Sequence, residues 1–256
     1  MTEFDSPLLV PVRRSSGAFR SVLIHPTGGG LSPYLALAGR LARYGPVHGV
    51  RAAGLLPGER PGDSVAGMAD DYLALLRGLP SAPDLLVGWS LGGVLAWELA
   101  ARLAGTGQRP PAVVLVDSHR QRPARARLPA EVHEAVAEAA RTAPGRTDPD
   151  CLRRTTDAHI AAVTGHRVTA PHRGPALLLA CAGGRRERQT AEWRELAPDL
   201  TVGHLACGHF EVFRPPHQQE TLRQIDAFLV RLTADSRNTP HPPHCSALPD
   251  SLRRNR

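Results

Sequence analysis

The chain has 256 residues, 42% of them hydrophobic, which is enough apolar material for one large domain with its own core. Its formal charge of +7 comes from arginine alone, because the sequence contains no lysine, and this excludes Schiff-base and other lysine-dependent catalysis. The four cysteines lack Cys-x-x-Cys spacing, and no N-terminal apolar segment has the form of a signal peptide or a membrane span, so we expect a cytoplasmic protein without membrane contact.

The apolar pattern predicts strands that alternate with helices along most of the chain, which is typical of an α/β fold with a mostly parallel sheet. Helices are indicated where apolar residues recur every three to four positions, and strands where short apolar runs end near glycine or proline. The predicted strands are 7–13, 21–24, 47–50, 85–87, 112–117, 176–181 and 200–205, and the predicted helices are 35–44, 64–79, 94–103, 129–141, 148–164 and 216–232.

A glycine-rich loop, His25–Gly30, joins the second predicted strand to the first predicted helix. Loops of this kind often bind phosphate, but the sequence has no Gly-x-x-x-x-Gly-Lys pattern, and no acidic residue stands where a dinucleotide fingerprint requires one. The loop also follows an early strand, where hydrolases with a nucleophilic serine take one backbone N–H donor for the oxyanion hole. We therefore interpret it as half of an oxyanion hole and expect the amide of Thr27 to be the donor.

The stretch Asp84–Gly93, Asp-Leu-Leu-Val-Gly-Trp-Ser-Leu-Gly-Gly, ends an apolar run with a serine between glycines. The run suits a buried parallel strand and the residues after it a buried helix, so Ser90 is expected at a tight strand-to-helix turn. Gly88 and Gly92 lack the Cβ atoms that would collide in such a turn. The amide of Leu91 opens the helix, where unpaired N–H groups favour a developing oxyanion. An ordinary helix-capping serine is the alternative, but the context favours a nucleophile.

An aspartate, Asp117, ends the predicted strand 112–117. Because the carboxyl ends of parallel strands meet at one edge of a sheet, Asp117 is expected on the same edge as Ser90. Its carboxylate would either cap the following segment or orient a catalytic histidine, and the presence of a serine and a late histidine favours the second role. Glu187 is the nearest acid after a later strand, but its flanking arginines would pair with it in solvent.

Residues 118–174 contain arginines and helix-prone stretches and are predicted to form a helical lid insertion. The second helix has a clear start signal, Asp148 followed by Pro149. The arginines near the start of the insertion form either a docking surface for an acidic protein partner or a solvated charge run, and their pattern does not indicate nucleic-acid binding. These arginines are Arg120, Arg122, Arg125 and Arg127.

Of the twelve histidines, His209 has the position expected of a general base. It lies in the turn Cys207–Phe210, between the last predicted strand and the last predicted helix. A loop at that point brings an imidazole to the sheet edge that carries Ser90. His25 is interpreted as a loop residue near the oxyanion hole.

The C-terminal segment 233–256 is rich in proline and is predicted to be a disordered tail, which leaves residues 1–232 as the folded domain. His241, His244 and Cys245 in this tail superficially resemble metal ligands. Two prolines separate the histidines and no second ligand pair is present, so no metal site is expected.

Three segments together resemble the thioesterase domains of nonribosomal peptide synthetases, which have the α/β-hydrolase fold. They are Gly88–Ala96 (Gly-Trp-Ser-Leu-Gly-Gly-Val-Leu-Ala), His25–Gly29 (His-Pro-Thr-Gly-Gly) and Val114–Ser118 (Val-Leu-Val-Asp-Ser). The resemblance spans roughly Pro7–Leu232. The sequence departs from the family at Cys207–Phe210, Cys-Gly-His-Phe, where the family often has Gly-Asp-His-Phe.

The resemblance implies that Ser90 is the nucleophile, His209 its general base and Asp117 the acid that orients the base. The amides of Leu91 and Thr27 would form the oxyanion hole. The implied reaction releases an acyl or peptidyl chain from the phosphopantetheine thioester of an acyl- or peptidyl-carrier protein, by hydrolysis or cyclisation, through an acyl-serine and without a cofactor. The alternatives are a carboxylesterase with the same triad, and a non-catalytic member of the fold that only binds a ligand.

Overall fold

A single β-sheet runs through the centre of the protein. The computed structural model describes residues 8–105, 109–121, 128–142 and 147–238. The strands in these ranges are β1 (Leu9–Arg13), β2 (Ser21–Ile24), β3 (Val47–Val50), β4 (Leu85–Trp89), β5 (Ala112–Val116), β6 (Ala176–Ala180) and β7 (Thr201–His204). They are ordered β1-β3-β2-β4-β5-β6-β7, and all run parallel except β1, which pairs antiparallel with β3.

Helices cover both faces of the sheet, as the sequence predicted. They are α1 (Leu35–Leu41), α2 (Val65–Arg77), α3 (Leu91–Ala104), α4 (Leu128–Thr142), α5 (Pro149–Thr164), α6 (Arg186–Arg194) and α7 (Gln218–Asn238), with a short 3-10 helix at Ser32–Tyr34. The apolar residues of α2 and α3 belong to one core and those of α1 and α7 to another, so the sheet separates the two. The α/β-hydrolase architecture is therefore confirmed.

Strand β5 shows why the central strands are apolar along their whole length. Val113 and Leu115 belong to the core that contains α2 and α3, while Val114 and Val116 belong to the core that contains α1 and α7. All four side chains are fully buried, and each such burial stabilises the fold by roughly 1.5–3 kcal/mol. A strand buried on both faces has no position for a polar side chain until it leaves the sheet.

The register between β4 and β5 sets the position of the site. Trp89 is the partner of Val116, so the next residues, Ser90 and Asp117, leave the sheet side by side at its carboxyl edge. This is the edge at which open α/β sheets bind their ligands.

Two helices, α7 and α6, differ from the sequence predictions. Helix α7 continues to Asn238, so the predicted tail boundary at 232/233 was wrong, because a helix that has already formed can continue without further apolar residues. The rest of the predicted tail, 239–256, lies outside the described residues. Helix α6 was not predicted, because Ala191 and Trp193 are its only apolar residues and carry no helical period.

The predicted lid helices are present between β5 and β6. Helix α5 begins as expected: Asp148 accepts hydrogen bonds from the amides of Asp150 (2.8 Å) and Cys151 (3.1 Å), and Pro149 occupies the first turn. His133 on α4 contacts Asp157 on α5 at 2.8 Å, which joins the two lid helices. Within the described part of the chain, no helix combines the length and apolar content needed to cross a membrane.

Candidate active site

Ser90 occupies a strained turn between β4 and α3. Its φ of 58° and ψ of −119° lie in a region that residues other than glycine rarely adopt. The glycines around it are required by close backbone contacts. A Cβ on Gly88 would lie 2.0 Å from the backbone of Gly92, and a Cβ on Gly92 would lie 2.4 Å from the carbonyl oxygen of Ile24. The turn predicted from the glycine spacing is therefore present, and it presents Ser90 to a cavity.

His209 and Asp117 are joined by a short hydrogen bond. Nδ1 of His209 lies 2.7 Å from Oδ2 of Asp117. Because an ionised carboxylate can only accept, Nδ1 carries the proton and donates it. A neutral imidazole held in this way has Nε2 as its basic nitrogen, and His209 lines the same cavity as Ser90.

The carboxylate of Asp117 is held by three donors. Besides His209, it accepts from the amide of Cys181 at 3.2 Å and from Nε2 of Gln189 at 3.3 Å. Burial alone would raise the pKa of Asp117, but the hydrogen bond and charge of His209 outweigh it, with smaller effects from His119 and the Cys181 amide, and hold the pKa below its ordinary value. Asp117 is therefore ionised at neutral pH. The other candidate acid, Glu187, is exposed on α6.

Aromatic rings surround the imidazole of His209. The ring centroids of Trp89 and Phe210 lie 5.4 and 4.9 Å from that of His209. The ring of Phe213 contacts that of Trp89, with centroids 5.8 Å apart. These contacts restrict the orientation of the ring, so the hydrogen bond to Asp117 does not fix it alone.

The predicted oxyanion loop lies beside this group. Thr27 is buried and lines the cavity together with Ser90. Its carbonyl oxygen accepts a 2.7 Å hydrogen bond from Nδ1 of His159, on lid helix α5. Leu91 is the first residue of α3, and the amides of a first helical turn have no acceptor within the helix. The structure thus brings all five predicted site residues to the carboxyl edge of the sheet.

His25 lies in the loop beside Thr27, as interpreted, and its side chain is also part of the buried interior. It is completely buried and stacks on His159, with ring centroids 5.0 Å apart and planes inclined by 16°. Burial lowers the pKa of His25 to about 3, with a smaller contribution from His159, and burial lowers the pKa of His159 to about 4. Both rings are therefore neutral at physiological pH. Sequence reasoning missed His159, because no local motif marks it among the twelve histidines.

A cavity of about 680 Å³ opens above Ser90 and His209. Lid helix α4 forms part of its roof and touches the oxyanion loop, since a Cβ on Gly28 would lie 2.9 Å from Val136. Most of the lining is apolar or small, and Glu138, Arg214 and Gln218 are the exceptions with long polar side chains. The apolar and small lining residues include Leu35, Leu55, Val132, Ala135, Ala139, Ala140, Leu152 and Phe213.

The arginines interpreted as either a docking surface or a solvated charge run are only partly described. Arg120 is not available for docking, because its guanidinium donates to the carbonyls of Val168 (2.8 Å) and Glu192 (3.3 Å) and pairs with Glu195. Arg120 therefore fits neither the docking surface nor the solvated charge run, the two alternatives that the sequence left open. Arg122, Arg125 and Arg127 lie outside the described residues.

The described residues contain no group of three or more His, Cys, Asp or Glu side chains that could hold a metal ion. The three residues whose spacing superficially resembles that of metal ligands lie outside the described ranges. They are His241, His244 and Cys245.

Comparison with known proteins gives consistent matches. The family model described as thioesterase domain matches residues 21–229. The nonribosomal peptide synthetase btyA of Aspergillus terreus is 42% identical over 87 residues, which are 34% of this chain and 9% of that protein. Thioesterase pytI of Aspergillus terreus is 34% identical over 110 residues, 38% of this chain and 36% of that protein. Both proteins are thus matched over well under two thirds of their own length.

A solved structure extends the match to almost the whole fold. The NocB thioesterase domain, in covalent complex with a fluorophosphonate nocardicin G analog, has a TM-score of 0.70 and 27% identity to this chain, over 86% of this chain and 98% of that one.

Proposed function

The chain belongs to the thioesterase domain family, and from this membership and the geometry of the site we propose that it cleaves a thioester between an acyl or peptidyl chain and the phosphopantetheine arm of a carrier protein. One observation carries the proposal. A serine on a strained turn and a histidine hydrogen-bonded at 2.7 Å to a buried aspartate line one cavity of about 680 Å³. These are the three groups that acyl transfer through a serine ester requires.

In the first step, Nε2 of His209 takes the proton of Ser90, and Oγ attacks the thioester carbonyl carbon. The tetrahedral intermediate collapses, the C–S bond breaks, and the departing thiolate receives the proton from Nε2. The chain is then held as an ester of Ser90. Asp117 keeps Nδ1 protonated and stabilises the imidazolium that forms during the transfer.

In the second step, a water molecule or a nucleophile of the bound chain gives its proton to Nε2 of His209 and attacks the carbonyl carbon of the acyl-serine. The tetrahedral intermediate collapses, the bond from that carbon to Oγ of Ser90 breaks, and Nε2 returns the proton to Oγ. Attack by water releases a carboxylic acid, and attack by an internal nucleophile releases a ring. The amides of Leu91 and Thr27 donate hydrogen bonds to the oxyanion in both steps. Their dipoles are already oriented before the negative charge develops, so no reorganisation is needed.

The cavity supports a predominantly apolar acyl or peptidyl chain. Burial of apolar substrate surface against these side chains favours binding by about 25 cal/mol for each Å² removed from water. Its volume lies within the range of about 300–1,000 Å³ typical of pockets for small molecules.

The relatives support a carrier protein as the source of the substrate, because the matched region of btyA is part of a nonribosomal peptide synthetase. A carrier delivers the thioester on a phosphopantetheine arm, so the enzyme itself needs no cofactor for this chemistry. Arg120 is not part of a docking surface for the carrier, because its guanidinium is bound within the fold.

Intact-protein mass spectrometry tests the proposal. We expect the mass to rise by one acyl group after mixing with an acyl-carrier thioester, and peptide mapping should place the group on Ser90. Acylation by simple oxygen esters but not by the carrier thioester would instead identify a carboxylesterase. The absence of acylation by either substrate would contradict both and leave a ligand-binding member of the fold.

A further inference from the structure

The peptide unit between Pro26 and Thr27 is the centre of a hydrogen-bonded chain that begins outside the site. A peptide unit is planar, so its carbonyl oxygen and its N–H are fixed relative to each other. In this unit the carbonyl belongs to Pro26 and the N–H to Thr27. Whatever holds the Pro26 carbonyl therefore also sets the direction of the Thr27 N–H.

Two donors hold the Pro26 carbonyl oxygen. Nδ1 of His25 lies 2.9 Å from it, and the amide nitrogen of Gly29 lies 2.8 Å from it. The Gly29 bond closes the loop on itself, and Gly29 has a φ of +80°, which suits glycine. The His25 bond joins the same oxygen to a side chain that is completely buried.

The tautomer of His25 follows from its partners. The Pro26 carbonyl can only accept, so Nδ1 carries the proton. Nε2 is then an acceptor, and it lies 2.6 Å from the hydroxyl of Tyr72, which donates to it. Tyr72 is on α2 and is itself buried, with its ring edge-on to the imidazole at 5.6 Å between centroids. Both ring nitrogens of His25 are therefore used, and the ring has one orientation.

We propose that Tyr72 and His25 are positioning residues for the oxyanion hole, acting through the Pro26 carbonyl on the Thr27 N–H. This inference rests on the proposed function, which makes Thr27 an oxyanion donor. The direction of the effect is fixed by the chain Tyr72 O–H to His25 Nε2, His25 Nδ1–H to Pro26 O, and Thr27 N–H to the oxyanion. Hydrogen bonds in series polarise one another, so a donor on the Pro26 carbonyl makes the Thr27 N–H a stronger donor.

This chain of hydrogen bonds also orients the Thr27 N–H before the reaction begins. An oxyanion donor is effective when its dipole is already aimed before the charge develops, because no reorganisation is then needed. A glycine-rich loop is flexible by composition, so it needs an external hold to stay aimed. Tyr72, on α2, holds the loop through His25. His159, on lid helix α5, holds the next carbonyl, that of Thr27.

Three variants separate this role from simple packing. Tyr72→Phe removes only the hydroxyl at the start of the chain. His25→Leu removes the donor to Pro26, and His25→Asn restores a donor near the position of Nδ1. Tyr44→Phe makes the same chemical change as Tyr72→Phe at a tyrosine that packs on Phe19, outside the oxyanion loop, and serves as the matched control.

The deciding measurement compares affinity for a tetrahedral adduct with affinity for an uncharged ground state. A boronic acid forms a reversible tetrahedral adduct with Ser90 that places an oxygen in the oxyanion hole, whereas KM for a thioester substrate reports mainly the acyl chain. We expect Tyr72→Phe to lower kcat and boronic-acid affinity by about tenfold and His25→Leu by about a hundredfold, since loss of one oxyanion donor costs about 10²–10³ in rate. KM should change less than about twofold.

His25→Asn should recover at least about tenfold of the rate lost in His25→Leu, because it restores the donor without the ring. Tyr44→Phe should match the wild type in both measurements. If His25→Leu does not fold, Tyr72→Phe and His25→Asn still decide the outcome, and thermal unfolding of each variant identifies that case.

The inference is overturned if the wild type forms an acyl-serine but Tyr72→Phe binds the boronic acid with wild-type affinity. It is equally overturned if kcat, KM and boronic-acid affinity all weaken together, since that pattern indicates general loosening of the fold. Failure of the wild type to form an acyl-serine would instead contradict the proposed function, so the two failures are distinguishable.

Discussion

The imidazole of His159 donates a 2.7 Å hydrogen bond to the backbone carbonyl of Thr27, which lies 132 residues earlier in the chain. One residue is on a helix of the lid and the other is in the oxyanion loop on the sheet edge. The lid is therefore attached to the floor of the site by a direct polar contact, in which Nδ1 of His159 carries the proton.

Acid should weaken the fold through His159. Burial lowers its pKa from 6.5 to about 4, so the unfolded chain binds more protons than the folded one between these values, and the free energy of unfolding falls as the pH drops through this window. At pH 5 the loss from this one group is about 2 kcal/mol. His159→Asn keeps an N–H donor near the position of Nδ1 but does not titrate.

Urea unfolding at pH 7.5 and pH 5 measures this effect. The variant should lose about 2 kcal/mol less than the wild type between the two pH values. Equal losses in the two proteins would show that His159 does not carry the acid sensitivity.

Replacing the serine should remove the covalent intermediate without harming the fold. Ser90 lies at a turn whose strain comes from the backbone, and its hydroxyl faces a cavity and not a packed core. Ser90→Ala should therefore lower turnover by at least about a thousandfold and abolish the acyl adduct in the mass spectrum. Thermal unfolding should stay close to that of the wild type, and any acyl adduct on the variant would refute the assignment.

Asp117→Asn should lower kcat by about three to four powers of ten, because an amide in place of the carboxylate favours the wrong tautomer of His209. Glu187→Gln, the matched control, removes one negative charge from an exposed position on α6 and should leave kcat within about twofold of the wild type. Steady-state rates of the two variants give the comparison. A larger defect in the control would transfer the role of the acid to Glu187.

A methyl group on Gly88, at the turn that carries Ser90, should prevent folding, whereas the same change on an exposed helical glycine should stabilise the protein. The Cβ of Gly88→Ala would lie 2.0 Å from the backbone of Gly92, where no side chain can move aside. In Gly39→Ala, within α1, the new Cβ would meet nothing within 4 Å beyond the neighbouring backbone of its own helix, and the change should stabilise by roughly 0.5–1 kcal/mol through helix propensity. Soluble yield and thermal melting test the pair, and a well-folded Gly88→Ala variant would contradict the close approach of the two chain segments.

The sequence predicted the parts of the site that follow from local rules. Ser90 was predicted because its glycines are spaced for a strained turn, and Asp117 because a charged residue can follow a doubly buried strand only where the strand leaves the sheet. His209 required the order of elements as well as its own turn. The structure brings these three residues together, and their catalytic roles stay predictions until the variants are measured.

Contacts between distant segments could not be predicted in this way. Tyr72 lies in the predicted helix 64–79, and its spacing there gives no sign of its partner His25, 47 residues away. Helix α6 carries no apolar period, yet Trp193 anchors it by donating to the carbonyl of Ser118 at 2.7 Å. Gln189 on the same helix reaches Asp117. Such polar contacts depend on the packing of whole elements, and a single sequence does not encode them in any local pattern.

The small side chains in the roof of the cavity allow substrate choice to evolve separately from catalysis. Ala135, Ala139 and Ala140 on α4 line the cavity, while Ser90 and His209 line its floor. An exchange of one alanine for leucine or phenylalanine would fill part of the space available to the acyl chain and leave the reacting groups unchanged. Substitutions in the lid can therefore change the shape of the cavity while the groups at its floor keep their positions.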